Sequence, residues 1–180
     1  VGLAQLYGFG IYAESGGDTT VVNSATGVVV GGDLNNSFIG TGIHAGTYAI
    51  DGTASVDNAG FVQAAGYYGG TGIEALALSP GGIATVTHRG TVYAQPYAKY
   101  GFGAVGILSI GDTSASIDNQ YGGIVQAVSG GLAYGALAIS QGGDASVVNA
   151  GDVIAQSTDA ALTYGAYGVV AAAGYGYASV

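Results

Sequence analysis

The chain has 180 residues, about one domain's worth, and only 7% of them are charged, against about a quarter in an ordinary globular domain. Eleven acidic residues outnumber Arg89 and Lys99, which gives a net charge of −9 and excludes the basic patch that nucleic acid or anionic lipid would require. The absence of Cys excludes a disulfide framework and a thiolate metal site. No apolar run approaches the roughly 18 residues of a spanning helix, so the chain is predicted not to span a membrane.

A four-residue motif recurs along the chain, and its copies align best on their last residue. It reads TVVN, SVDN, TVTH, SIDN and SVVN, ending at Asn23, Asn58, His88, Asn119 and Asn149. The intervals between these anchors are 35, 30, 31 and 30 residues. Downstream of each anchor lies a Gly, followed by an apolar residue and, two positions later, a small residue, as in Gly60 with Val62 and Ala64. A further segment opens with Gly and a β-branched residue, as in Gly42–Ile43. A fixed period of this length is typical of solenoid proteins.

Each repeat contains three short segments that alternate with period two, which predicts strands with one inward face. Gly, Val, Thr, Asn and Tyr dominate these segments, so helices are disfavoured. Such a unit cannot bury its apolar face alone, but stacked on its neighbours it can. We therefore predict an all-β chain, a right-handed parallel β-solenoid (β-helix) of about six coils of about 30 residues with three short strands per coil. As a single domain, 1–180, it divides near 1–16 (partial), 17–50, 51–80, 81–110, 111–140 and 141–180.

The anchors are predicted to form a structural ladder, in which equivalent amides stack and hydrogen-bond from coil to coil. We also expect the Asn residues to adopt left-handed backbone angles at a tight corner, which Asn tolerates better than most residues. His88 and its neighbour Arg89 are interpreted as tolerated substitutions and not as ligands. Glycines two residues after an anchor would turn the chain without a Cβ clash; they are Gly60, Gly90 and Gly151.

Aromatic residues recur in front of the third strand of each repeat and suggest a row along the solenoid. Stacked rings on successive coils would stabilise the rod by packing. An exposed row could equally serve as a platform for sugar rings or for another protein, and the sequence leaves both readings open. The residues of this row are Tyr7, Phe38, Tyr68, Tyr100, Tyr134 and Tyr164.

Carboxylates are the candidates for catalysis, and their spacing argues against it. Asp57 and Asp118 share the position before the anchor but lie two coils apart, roughly 10 Å at one strand spacing per coil. Glycosidases need about 5 to 9.5 Å between their two carboxyl groups. GGDTTVVN and GGDASVVN resemble pieces of a calcium-binding nonapeptide, but the Gly-x-Asp spacing and the period differ. We therefore expect no enzyme activity, no metal and no cofactor.

The repeat units also resemble a known family. GDASVVNAGDVIAQS with AYGVVAAA, and ASVDNAGFVQAAG with TGIEALALS, are similar to the β-helical passenger regions of bacterial autotransporters and related large surface adhesins, over essentially the whole chain. The resemblance implies a secreted, extracellular or cell-surface rod of a Gram-negative bacterium, acting in adhesion, aggregation or biofilm formation. The alternative is a carbohydrate-binding or polysaccharide-cleaving β-helix protein.

The two ends of the sequence suggest what the partners are. The chain opens on VGLAQ without Met or a leader-like segment, and it closes on ASV, which begins a further repeat. We hypothesise that copies stack head to tail through their terminal coils into a fibre, because unpaired strand edges invite pairing. The competing expectation is a fragment whose neighbours are coils of a longer chain. A cell-surface glycan or protein is a further expected partner, and nucleic acid is not.

Overall fold

The computed structural model describes residues 5–33, 37–97, 103–159 and 165–180. These residues form three parallel sheets that stack as a β-solenoid of about five turns, with about 31 residues per turn. The predicted all-β solenoid is thereby confirmed, with about five turns where about six coils were expected, because the last described coil contributes strands to two of the three sheets only. Within the described part of the chain, no helix is long and apolar enough to cross a membrane.

Each turn contributes one strand to each sheet, and we name the sheets A, B and C. Sheet A contains the longest strands: β1 (Gln5–Ser15), β4 (Ser37–Thr47), β7 (Gly69–Ala77), β10 (Gly103–Gly111), β13 (Ala133–Ser140) and β16 (Ala166–Ala173). Sheet B contains β2 (Thr19–Asn23), β5 (Thr53–Asn58), β8 (Ile83–His88), β11 (Ser114–Asn119), β14 (Asp144–Asn149) and β17 (Ala178–Ser179). Sheet C contains β3 (Val28–Gly31), β6 (Phe61–Gly66), β9 (Thr91–Pro96), β12 (Ile124–Ser129) and β15 (Asp152–Ser157).

Equivalent residues of successive coils lie directly over one another. In sheet A, for example, Ile43 pairs with Ile73, and Ile73 pairs with Ile107. Their side chains point inward and are fully buried. Because the pairing is parallel and in register, each position of the repeat becomes a column that runs along the solenoid.

The Gly that precedes the inward Ile has a packing role at the corner between sheets A and C. A Cβ atom on Gly72 would lie 2.2 Å from Cγ1 of Val92, a fully buried residue of sheet C. The same arrangement recurs one coil further, where a Cβ on Gly106 would lie 2.4 Å from Cγ1 of Val125. The glycine column therefore gives space to a valine column, which explains the repeated Gly–Ile pair.

The prediction that the anchor Asn residues adopt left-handed angles is wrong. Asp51 is the one non-glycine residue with positive φ in the described ranges, and it is not an anchor. The anchors instead end their strands in ordinary extended geometry, with side chains that point inward. The corner glycines behave as expected: a Cβ on Gly60 would lie 2.3 Å from the carbonyl oxygen of Gly27 in the preceding coil.

We predict that Gly72→Ala lowers the free energy of unfolding by about 1–3 kcal/mol, the usual cost of overpacking a filled core. Gly168→Ala is the matched control, because Gly168 occupies the same column in the last described coil and a Cβ there meets nothing within 4 Å. Urea-induced unfolding followed by circular dichroism measures both variants. Equal losses in the two would contradict the proposed clash with Val92.

Candidate functional site

The predicted ladder residues lie in one column at the end of the sheet B strands. Their backbone positions pair in the order Asn23, Asn58, His88, Asn119 and Asn149. Nδ2 of Asn23 donates to Oδ1 of Asn58 over 2.7 Å, and Nδ2 of Asn58 lies 3.0 Å from Nδ1 of His88. Nδ2 of Asn119 donates to Oδ1 of Asn149 over 2.7 Å. In each of these bonds the donor belongs to the earlier coil.

His88 interrupts the ladder. Its Nδ1 accepts from the Asn58 amide, so Nε2 carries the proton and donates to the carbonyl oxygen of Ile124 over 3.2 Å. Oδ1 of Asn119 is consequently buried without a hydrogen-bond partner among the described residues. Burial lowers the pKa of His88, although hydrogen bonds with the backbone oppose this shift. The lowered pKa favours the neutral ring, which hydrogen-bonds as a member of the ladder.

The aromatic residues do not form the single row that was predicted. Phe38 and Tyr68 are neighbours, with ring centroids 4.5 Å apart. Tyr7, in contrast, pairs with Ile39 and not with Phe38. Tyr100 and Tyr164 lie outside the described residues.

A second aromatic pair lies in a different column from the first. Tyr134 pairs with Tyr167, and their rings stack with centroids 5.1 Å apart. The reason is the spacing to the glycine column: Tyr68 lies five residues before Ile73, whereas Tyr134 lies two residues before the equivalent Ala136. The corner before sheet A varies in length, and so one aromatic per repeat does not produce one column.

The two candidate acids are both occupied by other side chains. Asp57 and Asp118 stand two coils apart in the same column, with Thr87 between them. Arg89 donates two hydrogen bonds to Asp57, over 2.6 and 3.2 Å, and Nε2 of Gln120 donates to Asp118 over 3.0 Å. Asp57 and Asp118 therefore do not face one substrate as a pair of free carboxylates.

Polar side chains that the sequence reading overlooked form a cluster on the outer face of sheet A. His44 lies between two carboxylates from neighbouring coils: its Nε2 is 3.0 Å from Oε1 of Glu14, and its Nδ1 is 2.8 Å from Oε2 of Glu74. The His44 side chain is only 7% exposed. The ring of Tyr12 stacks on it at 4.9 Å, and the Tyr12 hydroxyl donates to Glu14. We call Tyr12, Glu14, His44, Tyr48 and Glu74 the outer cluster.

Hydrogen bonds and charges within the outer cluster shift the pKa values of its members. Burial alone would lower the pKa of His44, but hydrogen bonds and charge from Glu74 and Glu14 outweigh it and raise the pKa above its ordinary value. Hydrogen bonds from Tyr12 and Tyr48 lower the pKa of Glu14. The bond to Glu14 also raises the pKa of Tyr12 to about 12. The pKa shifts of Glu14 and His44 both favour an ionised Glu14 beside a protonated His44.

The sequence did contain a signal for this cluster. His44 and Glu74 occupy the same position of successive repeats, 30 residues apart, whereas Glu14 lies two residues beyond Tyr12, which is the backbone partner of His44. Among the described residues, no group of three His, Cys, Asp or Glu side chains is arranged to hold a metal ion. Both ring nitrogens of His44 are occupied by carboxylates, so the cluster is an ion-pair network.

Comparison with protein-family models gave no match for this sequence, and searches of curated proteins and of solved structures gave none either. The fold itself defines the class of protein. Three parallel sheets in continuous register make the chain a β-solenoid. This class includes both enzymes and non-enzymes, so function has to be argued from the site.

We predict that Asn58→Leu lowers the free energy of unfolding by about 1–3 kcal/mol, because it leaves buried polar groups of Asn23 and His88 without partners. Asn149→Leu is the comparison at the end of the ladder: Asn149 is itself exposed and its loss removes one side-chain partner, that of Asn119, instead of two, so a smaller loss is expected. Urea-induced unfolding compares the two. A loss in Asn149→Leu as large as that in Asn58→Leu would contradict a buried ladder.

The titration midpoints of the two histidines are predicted to shift in opposite directions from the ordinary pKa of about 6.5. The pKa of His44 is raised, so its stabilising contribution is complete below about pH 6.5 and is lost as the pH rises through the folded-state value. The pKa of His88 is lowered, so the unfolded chain takes up the proton first and stability falls as the pH drops below about 6.5. Titration of the imidazole carbon signals by NMR measures both. Indistinguishable midpoints would refute these assignments.

Proposed function

We propose that the chain is a non-catalytic, extracellular β-solenoid rod, part of a bacterial surface adhesin or of a self-assembling extracellular fibre. In this proposal a further coil continues the stack at its open end, and that coil belongs either to a second copy or to a longer chain. The resemblance of the repeats to surface adhesins supports the cellular setting. The observation that carries the proposal is the ladder at its last described rung.

Asn149 occupies the same geometry as an internal rung. Nδ2 of Asn58 donates to the carbonyl oxygen of Gly60 over 3.2 Å and also bonds to the next coil through His88. Nδ2 of Asn149 makes the equivalent bond to Gly151 over 3.1 Å, but no described residue accepts its second hydrogen. Asn58 uses both hydrogens, and by the same geometry Asn149 is oriented to donate to an acceptor one coil further.

Packing at the same end supports a further coil. Val169 is partly exposed, whereas its column neighbours Ala136 and Ile107 are fully buried. Val153 is likewise only partly buried, although Val125 in the same column is fully buried. Apolar side chains and open strand edges at one face favour addition of another strand layer.

The direction of the ladder bonds gives this addition a polarity. Donors always lie in the earlier coil and acceptors in the later one, as in the bonds from Asn23 to Asn58 and from Asn119 to Asn149. A copy added to the Asn149 end would therefore offer the acceptor end of its own ladder. Such a contact is heterologous and does not close, so it builds a filament.

The second candidate is carbohydrate binding, which the stacked pair of Tyr134 and Tyr167 favours. Tyr167 is 48% exposed, and its ring lies 18° from the plane of Tyr134. Two nearly parallel aromatic rings on an outer face offer a flat apolar surface for a sugar ring. Binding is favoured over cleavage, because Asp57 and Asp118 are engaged by other side chains.

We predict that the purified chain associates with increasing concentration and that Val169→Lys abolishes this association. A lysine at this inward-facing position places a charge on the surface where the next coil would pack. Val170→Lys is the matched control, because the neighbouring side chain belongs to the outward column that contains Leu137. Analytical ultracentrifugation with electron microscopy of the same samples measures the effect.

Three results would decide among the versions. A wild-type chain that stays monomeric at high concentration would contradict self-assembly and leave the coils of a longer chain as the continuation. Equal loss of association in Val169→Lys and Val170→Lys would contradict stacking through the end face. Saturable binding on a glycan array that is lost in Tyr167→Ala would favour the carbohydrate alternative.

A further inference from the structure

A cavity of about 370 Å³ opens beside the outer cluster, on the side of the solenoid. Its lining includes Glu14, Gly46, Tyr48, Leu76 and Leu78. The cavity exists because glycine interrupts the outward column of sheet A: Gly46 stands between Glu14 of the preceding coil and Leu76 of the next. A Cβ on Gly46 would lie 3.0 Å from both Cγ of Glu14 and Nε2 of His44.

The lining combines one charge with apolar walls. Leu76 and Leu78 supply aliphatic surface, and Tyr48 is 66% exposed beside them. Glu14 is the one charged residue of the lining, and hydrogen bonds from Tyr12 and Tyr48 favour its ionised form. Thr47 and Ser79 complete the lining, but their hydroxyls already donate to the carbonyl oxygens of Gly17 and Tyr48. These walls therefore offer few partners to a ring of sugar hydroxyls, whereas they suit an apolar stem that ends in a charged head.

The surrounding charge determines the sign of that head. Glu14, His44 and Glu74 together carry a net negative charge whether the imidazole is protonated or neutral. Arg89, the one arginine of the sequence, is already paired with Asp57. The chain as a whole has a net charge of −9, which attracts cations to such a cavity.

We propose that this cavity binds an aliphatic ammonium group, with the ammonium beside Glu14 and Tyr48 and its alkyl stem against Leu76 and Leu78. A carboxylate supplies the ion pair, and a tyrosine ring face attracts a cation through its quadrupole. Lysine side chains bury their stems against apolar surface in the same way. The ligand is therefore either a free alkylamine or a lysine side chain of another protein. The cavity opens on the outer face of sheet A, although Glu14 belongs to β1, the edge strand of the first coil. Binding of a small ammonium ion is measured without any stacking of copies, so its test does not depend on the rod proposal.

The test is an NMR titration of the full chain with n-butylammonium chloride, with 1-butanol as the uncharged probe. We expect saturable shifts of the Tyr48 and Leu78 signals, a dissociation constant of the order of millimolar, and binding of 1-butanol at least about tenfold weaker. Nα-acetyl-lysine methylamide is the second arm. Binding of both ammonium probes indicates a site open to a protein side chain, and binding of butylammonium alone indicates a small-molecule site.

Two variants locate the site. Glu14→Gln keeps the shape of the side chain and removes its charge, and we expect it to weaken butylammonium binding at least about tenfold. Gly46→Ala fills the floor of the cavity, and we expect the same loss. The control is Asp152→Asn, which removes one exposed negative charge elsewhere and should leave the affinity within about twofold. Circular dichroism checks that each variant is folded.

The affinity should also respond to His44, which competes for the same carboxylate. His44 faces Glu14 and Tyr12 of one strand and Glu74 of another. Raising the pH until the imidazole signals of His44 show loss of its proton, in a range where the alkylamine stays charged, should make butylammonium bind several-fold more tightly. Equal binding of butylammonium and 1-butanol, an unchanged affinity in Glu14→Gln, or an affinity independent of pH would each overturn the proposal.

Discussion

Backbone hydrogen bonding between equivalent strands of successive coils is the constraint on which the rest of this structure depends. Because the pairing is parallel and in register, a side chain always lies beside the side chain of the same repeat position. A residue is therefore acceptable only if it fits its own column. Gly72 stacks on Gly106 because each must leave space for a valine of sheet C, and Ile73 stacks on Ile107 because each fills the interior.

The same constraint means that a polar side chain either hydrogen-bonds with its neighbours in the column or leaves one of them without a partner. Asn fits an interior column because its amide is both donor and acceptor, so each rung satisfies the next. His88 has one acceptor and one donor when neutral, and its donor reaches Ile124 instead of Asn119. The result is an unpartnered Oδ1 on Asn119. His44, in contrast, lies between two carboxylates on the outer face, where a proton on each ring nitrogen is stabilising. The different columns, and not the residue type, determine the opposite pKa shifts.

The inward half of the structure was predictable from the sequence, and much of the outward half was not. In each sheet B strand that ends in an anchor, a buried β-branched residue stands two positions before the anchor, as Val56 does before Asn58, because inward positions must stay in phase for the sheets to pair. The aromatic row failed because the corner before sheet A changes length, which shifts Tyr134 relative to Tyr68. The outer cluster was missed although His44 and Glu74 occupy the same position of successive repeats. Glu14 reaches His44 diagonally, and it pairs with Gly46 in the backbone register, so the contact depends on side-chain direction.

The interior columns are uniform and the outward columns are varied, and this contrast indicates which side chains are free to form binding surfaces. One outward column of sheet A changes character along its length: Tyr12, His44 and Glu74 occupy the first coils, and Leu108 and Leu137 continue the same line. A side chain in this column does not have to fill the core, so the fold tolerates charge, aromatic rings or aliphatic groups there. Chemistry that differs from coil to coil gives each segment of the outer face a distinct surface, while the interior keeps all segments in register. In such a molecule the interior columns account for the rod, and the outward columns of sheet A are where binding specificity can be encoded.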